Sequence, residues 1–138
     1  MYRGRHACEK LGIVKCKMIV KKLKESKEFL AGDGTLFREL LNPAKDDAKI
    51  NYSLGIAKVK PGCRTKRHVL TSTEVYCIVR GKGIMHTGKE SEKVEEGCAV
   101  FIPANAEQWI ENTGREELAF FCIVEPAWKP ECEKILGQ

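Results

Sequence analysis

After residue 50, the sequence consists of short apolar runs separated by turn residues. Glycine, proline or an Asn-Thr-Gly triplet interrupts the chain about every 8–12 residues, which is typical of all-β sandwiches and barrels. No segment has the length and 3.6-residue period of a long amphipathic helix. We predict strands near residues 50–59, 65–70, 73–80, 83–87, 92–95, 98–102, 107–112 and 117–124.

Helical structure is predicted only at the margins of this β-region. Residues 24–31 favour one helical turn, and residues 130–136 favour a short terminal helix. The segment LFRELL at 36–41 is compatible with either a strand or a brief helix. A sheet this short must close or pair its edges. The predicted fold class is therefore all-β, a barrel or jelly roll with a short terminal helix.

Length and charge suit one domain with a basic leader. The chain has 138 residues, of which 43% are hydrophobic and 31% charged, as in ordinary globular domains. Residues 1–27 carry nine lysines and arginines against two glutamates, whereas the remainder has 15 basic and 17 acidic residues. We predict a leader over 1–27 and a single domain over 28–138, with the barrel core at about 50–124. A solvated leader is favoured over a nucleic-acid-binding arm.

Composition also indicates where the protein works. No apolar run approaches the roughly 20 residues needed to cross a bilayer, and no apolar segment with a cleavage site follows the basic start. A cytoplasmic location is therefore expected. The cysteines number seven and form no C-x-x-C pair, so reduced thiols are favoured over a zinc or redox motif.

The first segment whose residues could form a functional site runs from Gly62 to Gly81. His68 and Glu74 have the same parity along it, so in an extended chain both side chains point to one face. Tyr76 continues that face, which would leave Glu74 among apolar neighbours. An isolated buried carboxylate is costly and needs a cation or hydrogen-bond partners.

The second segment runs from Gly97 to Asn112. It contains a strand, a tight turn ending at Asn105 and a returning strand that starts near Gln108. Together the two segments resemble the signatures of the cupin superfamily, G-x5-H-x-H-x3-E-x6-G and G-x5-P-x-G-x2-H-x3-N. The matching positions, with every spacing kept, are Gly62, His68, Glu74, Gly81, Gly97, Pro103 and Asn112. The flanks also look like those of small single-domain archaeal and bacterial cupins.

The resemblance implies a double-stranded β-helix with a metal ion at its centre. His68 and Glu74 occupy ligand positions of the family pattern, and Gln108 stands where the pattern has a histidine and would offer a weaker, neutral oxygen. Leu70 replaces the other histidine. Asn105 replaces the turn glycine, which is tolerable because asparagine accepts positive φ better than most residues.

One imidazole, one carboxylate and one amide oxygen form a mixed set with open positions. Such a set suits Fe(II), Mn(II), Ni(II) or Zn(II) without ranking them. We predict that Leu70 and Tyr76 line the pocket. Arg64 and its basic neighbours near the barrel mouth would attract an anionic substrate or, alternatively, form a solvated face. His86 and Trp109 are expected to face outward.

Different functions remain open at this point. One is a metal-dependent enzyme acting on a small oxygen-rich molecule; the resemblance favours sugar-phosphate-isomerase-like chemistry over dioxygenase chemistry, which usually needs more histidines. Another is a metal-independent module that binds a sugar or small acid, and a third is a structural partner with a decayed site. The resemblance further implies a homodimer, as is common among cupins.

Overall fold

A computed structural model describes residues 17–137, so most of the predicted leader lies outside the described residues. The described chain contains two 3-10 turns, Leu23–Glu25 and Pro130–Cys132. Its strands are β1 (Phe29–Leu30), β2 (Leu36–Leu41), β3 (Ser53–Val59), β4 (Arg67–Leu70), β5 (Thr73–Arg80), β6 (Lys82–Thr87), β7 (Glu90–Glu95), β8 (Ala99–Ile102), β9 (Glu107–Asn112), β10 (Leu118–Glu125) and β11 (Glu133–Gly137).

The strands form two antiparallel sheets that enclose a common core. The first sheet has the order β1-β2-β3-β10-β5-β8, and the second has the order β11-β4-β9-β6-β7. The chain passes between the sheets repeatedly, for example from β4 in the second sheet to β5 in the first. This is the double-stranded β-helix expected from the sequence.

Alternation along the strands explains how the core is filled. In β9, and in β5 as far as Ile78, every second side chain is buried, because successive residues of a strand point to opposite faces. Phe120 and Ile102 of the first sheet and Ile110 of the second are fully buried in one cluster. Tyr76 packs on Phe120 with a ring-centroid distance of 4.3 Å.

All eight strands predicted after residue 50 are present, and the LFRELL segment is a strand, β2. The predicted terminal helix over 130–136 is wrong. Only Pro130–Cys132 is helical, as a 3-10 turn, and the following residues form β11 on the edge of β4. The pairing satisfies backbone groups of β4 that would otherwise be exposed, and this long-range benefit outweighs local helix preference.

The turn before β9 has the conformation expected from its sequence. Asn105 has φ 67° and is the one non-glycine residue with positive φ in residues 17–137. Its backbone N–H donates to the carbonyl of Leu70 at 2.7 Å. The turn is thereby attached to the end of β4, next to the centre of the barrel.

The segment preceding β1 is in contact with the first sheet. Lys21 Nζ lies 2.6 Å from Asp46 Oδ1, and the Arg38 guanidinium donates to the carbonyls of Leu23 and Ser26. In the described part of the chain, no helix has the length and apolar character needed to cross a membrane.

The close approach of β6 to β9 predicts a position where only glycine fits. A Cβ atom at Gly83 would collide with the backbone carbonyl oxygen of Glu111, whereas one at Gly32 would meet its nearest neighbour at an ordinary 3.7 Å. We expect Gly83→Ala to lower the free energy of unfolding by about 1–3 kcal/mol, the typical cost of overpacking. Gly32→Ala should change it little. Urea denaturation measures both, and equal stabilities of the two variants would contradict the packing shown here.

Candidate metal centre

A cavity of about 180 Å³ lies within the barrel, against the inner face of the first sheet. Much of its wall is apolar and includes Leu70, Tyr76 and Trp128. The charged or titratable side chains that line it, apart from the Tyr76 phenol and the Cys122 thiol, are Asp33, Glu39, Lys45, His68, Glu74 and Glu133. Most of these groups are acidic, which is unusual for a largely apolar cavity.

His68 presents one ring nitrogen to this cavity. Its side chain is 1% exposed, and Nδ1 lies 2.7 Å from the backbone carbonyl oxygen of Lys66. Because a carbonyl can only accept, Nδ1 carries a proton, and in the neutral imidazole Nε2 then has the free lone pair. Nε2 lies 3.8 Å from Asp33 Oδ2. A hydrogen bond from Nδ1 to a backbone carbonyl is a common way of orienting a histidine that binds a metal through Nε2.

Glu74 is buried in β5 and lines the same cavity. Its Oε1 atom has no hydrogen-bond partner among the described residues. The pKa of its carboxyl is raised from an ordinary 4.5 to about 8, mainly by burial and also by the negative charges of Asp33 and Glu133, against a hydrogen bond from the Gln108 side chain that lowers it. A nearby cation would favour the ionised form.

Gln108 lies in β9, directly opposite His68 in the strand register, and is 1% exposed. Its Oε1 atom accepts a hydrogen bond of 3.0 Å from the Tyr76 hydroxyl. The oxygen predicted as a metal ligand therefore already uses one of its two lone pairs. Gln108 is not among the residues that line the cavity, although its side chain also bonds to Glu74, which does.

The three predicted pocket residues have different positions. Leu70 and Tyr76 line the cavity, but Arg64 does not. Arg64 is exposed before β4 begins and forms a single β-bridge with Glu111. Arg67 is likewise engaged at the surface, 2.8 Å from Glu107. These two basic residues therefore provide no positive charge inside the cavity.

The structure adds two residues that sequence reasoning missed, Asp33 and Glu133. Asp33 lies in the turn between β1 and β2, where Oδ1 accepts hydrogen bonds from the N–H and hydroxyl of Thr35. Glu133 is the first residue of β11. Ligand atoms of Asp33, His68 and Glu133 all lie within 4.8 Å of one another. Neither residue could be recognised as a candidate ligand from the sequence around it. Asp33 resembles an ordinary turn aspartate, and Glu133 lies in the segment predicted to be helical.

Electrostatics make this cluster receptive to a cation. Burial raises the pKa of Glu133, as does the negative charge of Asp33, while His68 and a hydrogen bond from Trp128 lower it. Lys45 lies 2.7 Å from Glu39 and is 72% exposed, so its positive charge does little to balance the negative charges of the cluster. The His68 imidazole and the two adjacent carboxylates of Asp33 and Glu133 form a donor set that fits a divalent metal, with the unpartnered Glu74 oxygen in the same cavity.

His86 is not part of this site. Its two ring nitrogens contact Ser91 Oγ at 2.7 Å and Glu111 Oε1 at 3.0 Å. Its ring stacks on Trp109, with centroids 4.4 Å apart. Both residues lie on the outer side of the second sheet, in agreement with the prediction from strand alternation.

The fold and site define a closed β-barrel protein with an internal polar cluster. Residues 55–124 match the family model described as a cupin domain. The chain is also 32% identical over 125 residues to uncharacterized protein MJ1618 of Methanocaldococcus jannaschii, covering 90% of this chain and 99% of that protein. The chain belongs to the cupin superfamily.

Solved structures support the same fold. A predicted oxalate decarboxylase from Thermotoga maritima superposes with a TM-score of 0.68 at 20% identity, covering 78% of this chain and 99% of that one. The polyketide cyclase RemF from Streptomyces resistomycificus gives 0.72 at 16% identity, covering 88% and 87%. At such identities the likeness establishes the barrel and leaves the chemistry to the residues of this chain.

The buried Glu74 carboxyl predicts a pH-dependent stability in chelator-treated protein. With its pKa raised to about 8, the folded chain retains a proton that the unfolded chain releases above about pH 4.5, so the free energy of unfolding should fall as pH rises from 5 to 8. Glu74→Gln should reduce this fall by a few kcal/mol. Urea titrations across that pH range measure it, with the exposed Glu92→Gln as control. Parallel curves for wild type and Glu74→Gln would contradict the burial described.

Proposed function

We propose that this cupin is a metal-dependent enzyme that acts on a small oxygen-rich molecule inside its barrel. The observation that carries the proposal is the presence in one cavity of a buried imidazole with a free Nε2 lone pair and a buried carboxyl, Glu74, with an unpartnered oxygen. Either group alone would be costly to bury. Together they suit a divalent transition metal, for which Fe, Mn, Ni and Zn are the candidates.

The residues of the cavity support proton-transfer chemistry of the isomerase type. When bound, the cation supplies a Lewis acid for a carbonyl or hydroxyl oxygen. Glu74 Oε1 is free to hold or accept a proton at the cavity surface. Leu70 and Tyr76 line the same cavity and make part of its wall apolar. Dioxygenase chemistry is less supported, since the cavity provides a single histidine among its described lining residues.

The charges of the cavity support a neutral hydroxy-carbonyl substrate over a phosphorylated one. A phosphate group in an enclosed site needs cationic partners. Among the described lining residues the basic side chains are Lys45 and His68, and Lys45 is paired with Glu39. We therefore retain the isomerase-like reaction class and propose that the substrate lacks a phosphate.

A metal-independent small-molecule binding module is the second candidate. It is favoured by the engagement of Gln108 with Tyr76 and by the leucine at position 70. In that case the carboxylates and His68 would bind hydroxyl groups of a sugar or small acid directly. Ligand binding that persists unchanged after chelation and in a metal-free Glu74→Ala variant would favour this candidate.

Metal binding is the direct test of the enzyme proposal. Chelator-treated protein titrated with Mn²⁺ and Zn²⁺ should bind about one ion per chain and gain thermal stability. His68→Ala should abolish that binding, because it removes the only imidazole in the described lining. His86→Ala is the matched control, since His86 lies outside the cavity, and should leave binding unchanged. A wild-type protein that binds neither ion would exclude the proposed function.

We further propose that the protein works in the cytoplasm as a homodimer formed through the outer face of the first sheet. The described cysteines are all free, as a reducing compartment would keep them. The outer face carries an apolar set that is half-buried or exposed: Val75, Cys77, Val79, Phe101, Phe121 and Ile123. Unpartnered apolar patches of this kind commonly mark subunit interfaces.

The dimer is testable at Phe101, which is 63% exposed on edge strand β8. Phe101→Glu should convert the dimer to a monomer in light scattering coupled to size exclusion, because a carboxylate cannot be buried unpaired in an apolar interface. Val20→Glu changes an exposed apolar residue outside this face and should leave the mass unchanged. A wild-type monomer would contradict the proposal.

A further inference from the structure

We infer that the metal ion is held by His68 together with Asp33 and Glu133, two carboxylates outside both cupin motifs, and not by Gln108. This inference rests on the proposed function and specifies its ligand set. The resulting centre has one nitrogen and two carboxylate donors, with Glu74 beside it in the same cavity. It replaces the donors that the chain lacks at Leu70 and Gln108.

The distances within this set suit one shared ion. Two ligand atoms that each bind one ion at about 2.1 Å can lie no more than about 4.2 Å apart. His68 Nε2 and Asp33 Oδ2 are 3.8 Å apart, and the atoms of all three residues lie within 4.8 Å. A shared ion therefore requires only a small inward movement of the carboxylates. Gln108 Oε1, by contrast, already accepts a hydrogen bond from Tyr76, and Gln108 is not among the residues that line the cavity.

The backbone holds the three donors in place. The Asp33 turn is attached to the segment before β4 by the Lys66 N–H, which donates to the Asp33 carbonyl at 2.8 Å. β11 pairs with β4 in a register that sets Glu133 opposite Leu70 and Ile135 opposite His68. All three ligand-bearing segments thus share β4 as a common support, as a preorganised site requires.

In Asp33 and His68, the atom that is not proposed as a ligand is held by a hydrogen bond. Asp33 uses Oδ1 for the turn and leaves Oδ2 toward His68. His68 uses Nδ1 for the Lys66 carbonyl and leaves Nε2. An independent feature of the same cavity also calls for a cation: Glu74 Oε1 is buried, lines the cavity and has no hydrogen-bond partner in the described chain. A carboxylate-rich set of this kind favours oxygen-preferring cations such as Mn²⁺.

The test compares Mn²⁺ affinities by calorimetry and by the electron paramagnetic resonance signal of free Mn²⁺. Asp33→Asn and Glu133→Gln should each weaken binding at least about tenfold, whereas Gln108→Leu should leave it within a factor of about two. Asp33→Asn keeps an oxygen for the Thr35 contacts, so the turn should persist. Exposed Glu131→Gln, close to Glu133 in the chain, is the matched control. Thermal melts of the metal-free variants distinguish the loss of a ligand from a loss of folding. If Gln108→Leu proves destabilised, Tyr76→Phe serves in its place. That variant removes the hydroxyl that bonds to Gln108 but keeps the ring, and it should also retain Mn²⁺ affinity.

The outcomes separate this inference from the proposed function. If Mn²⁺ binds and depends on His68, but neither Asp33→Asn nor Glu133→Gln weakens it, the ligand set is wrong while the metal enzyme stands. Loss of Mn²⁺ affinity in Gln108→Leu alone would show that Gln108 is a ligand, as the family pattern implies, and would contradict this inference. Failure of the wild-type chain to bind Mn²⁺ or Zn²⁺ would overturn both.

Discussion

Carboxyl groups without matching cations are costly to bury, and this barrel encloses Asp33, Glu74 and Glu133 around one imidazole. Burial raises the pKa of both Glu74 and Glu133, which is the response of acids that lack a positive partner. The apolar walls that close the barrel also intensify this repulsion by excluding water. Core packing and the chemistry of the site are therefore linked through Tyr76, which belongs to the core cluster and lines the cavity.

Local patterns were sufficient to predict most of the barrel. Glycine and proline punctuation fixes where strands end, and strand alternation fixes which side chains point inward. These two rules locate the eight strands after residue 50 and place His68, Glu74 and Gln108 in the interior. The same alternation assigns His86 and Trp109 to the outer face, where they stack.

What the sequence could not show depends on contacts between distant segments. β11 exists because it covers the edge of β4, and nothing in residues 133–137 encodes that partner. Asp33 acquires its role only because the β1–β2 turn is bonded to the chain before β4. Likewise, spacing places Gln108 in the interior but does not reveal that its oxygen accepts from Tyr76. The spacing of a motif predicts on which face of a strand a side chain lies. Which of its atoms is free to bind a ligand depends on hydrogen bonds that the spacing does not show.

The structural neighbours show why the barrel alone does not define the reaction. Proteins described as a predicted oxalate decarboxylase and a polyketide cyclase share this fold at 20% and 16% identity. In a shared barrel, function follows from the few side chains that face the cavity. Here the motif strands supply one histidine and one carboxyl, and the segments at the two ends of the domain supply two further carboxylates. Because these terminal segments are the parts that the family pattern leaves unspecified, they are where a cupin can change its metal chemistry while keeping the barrel intact.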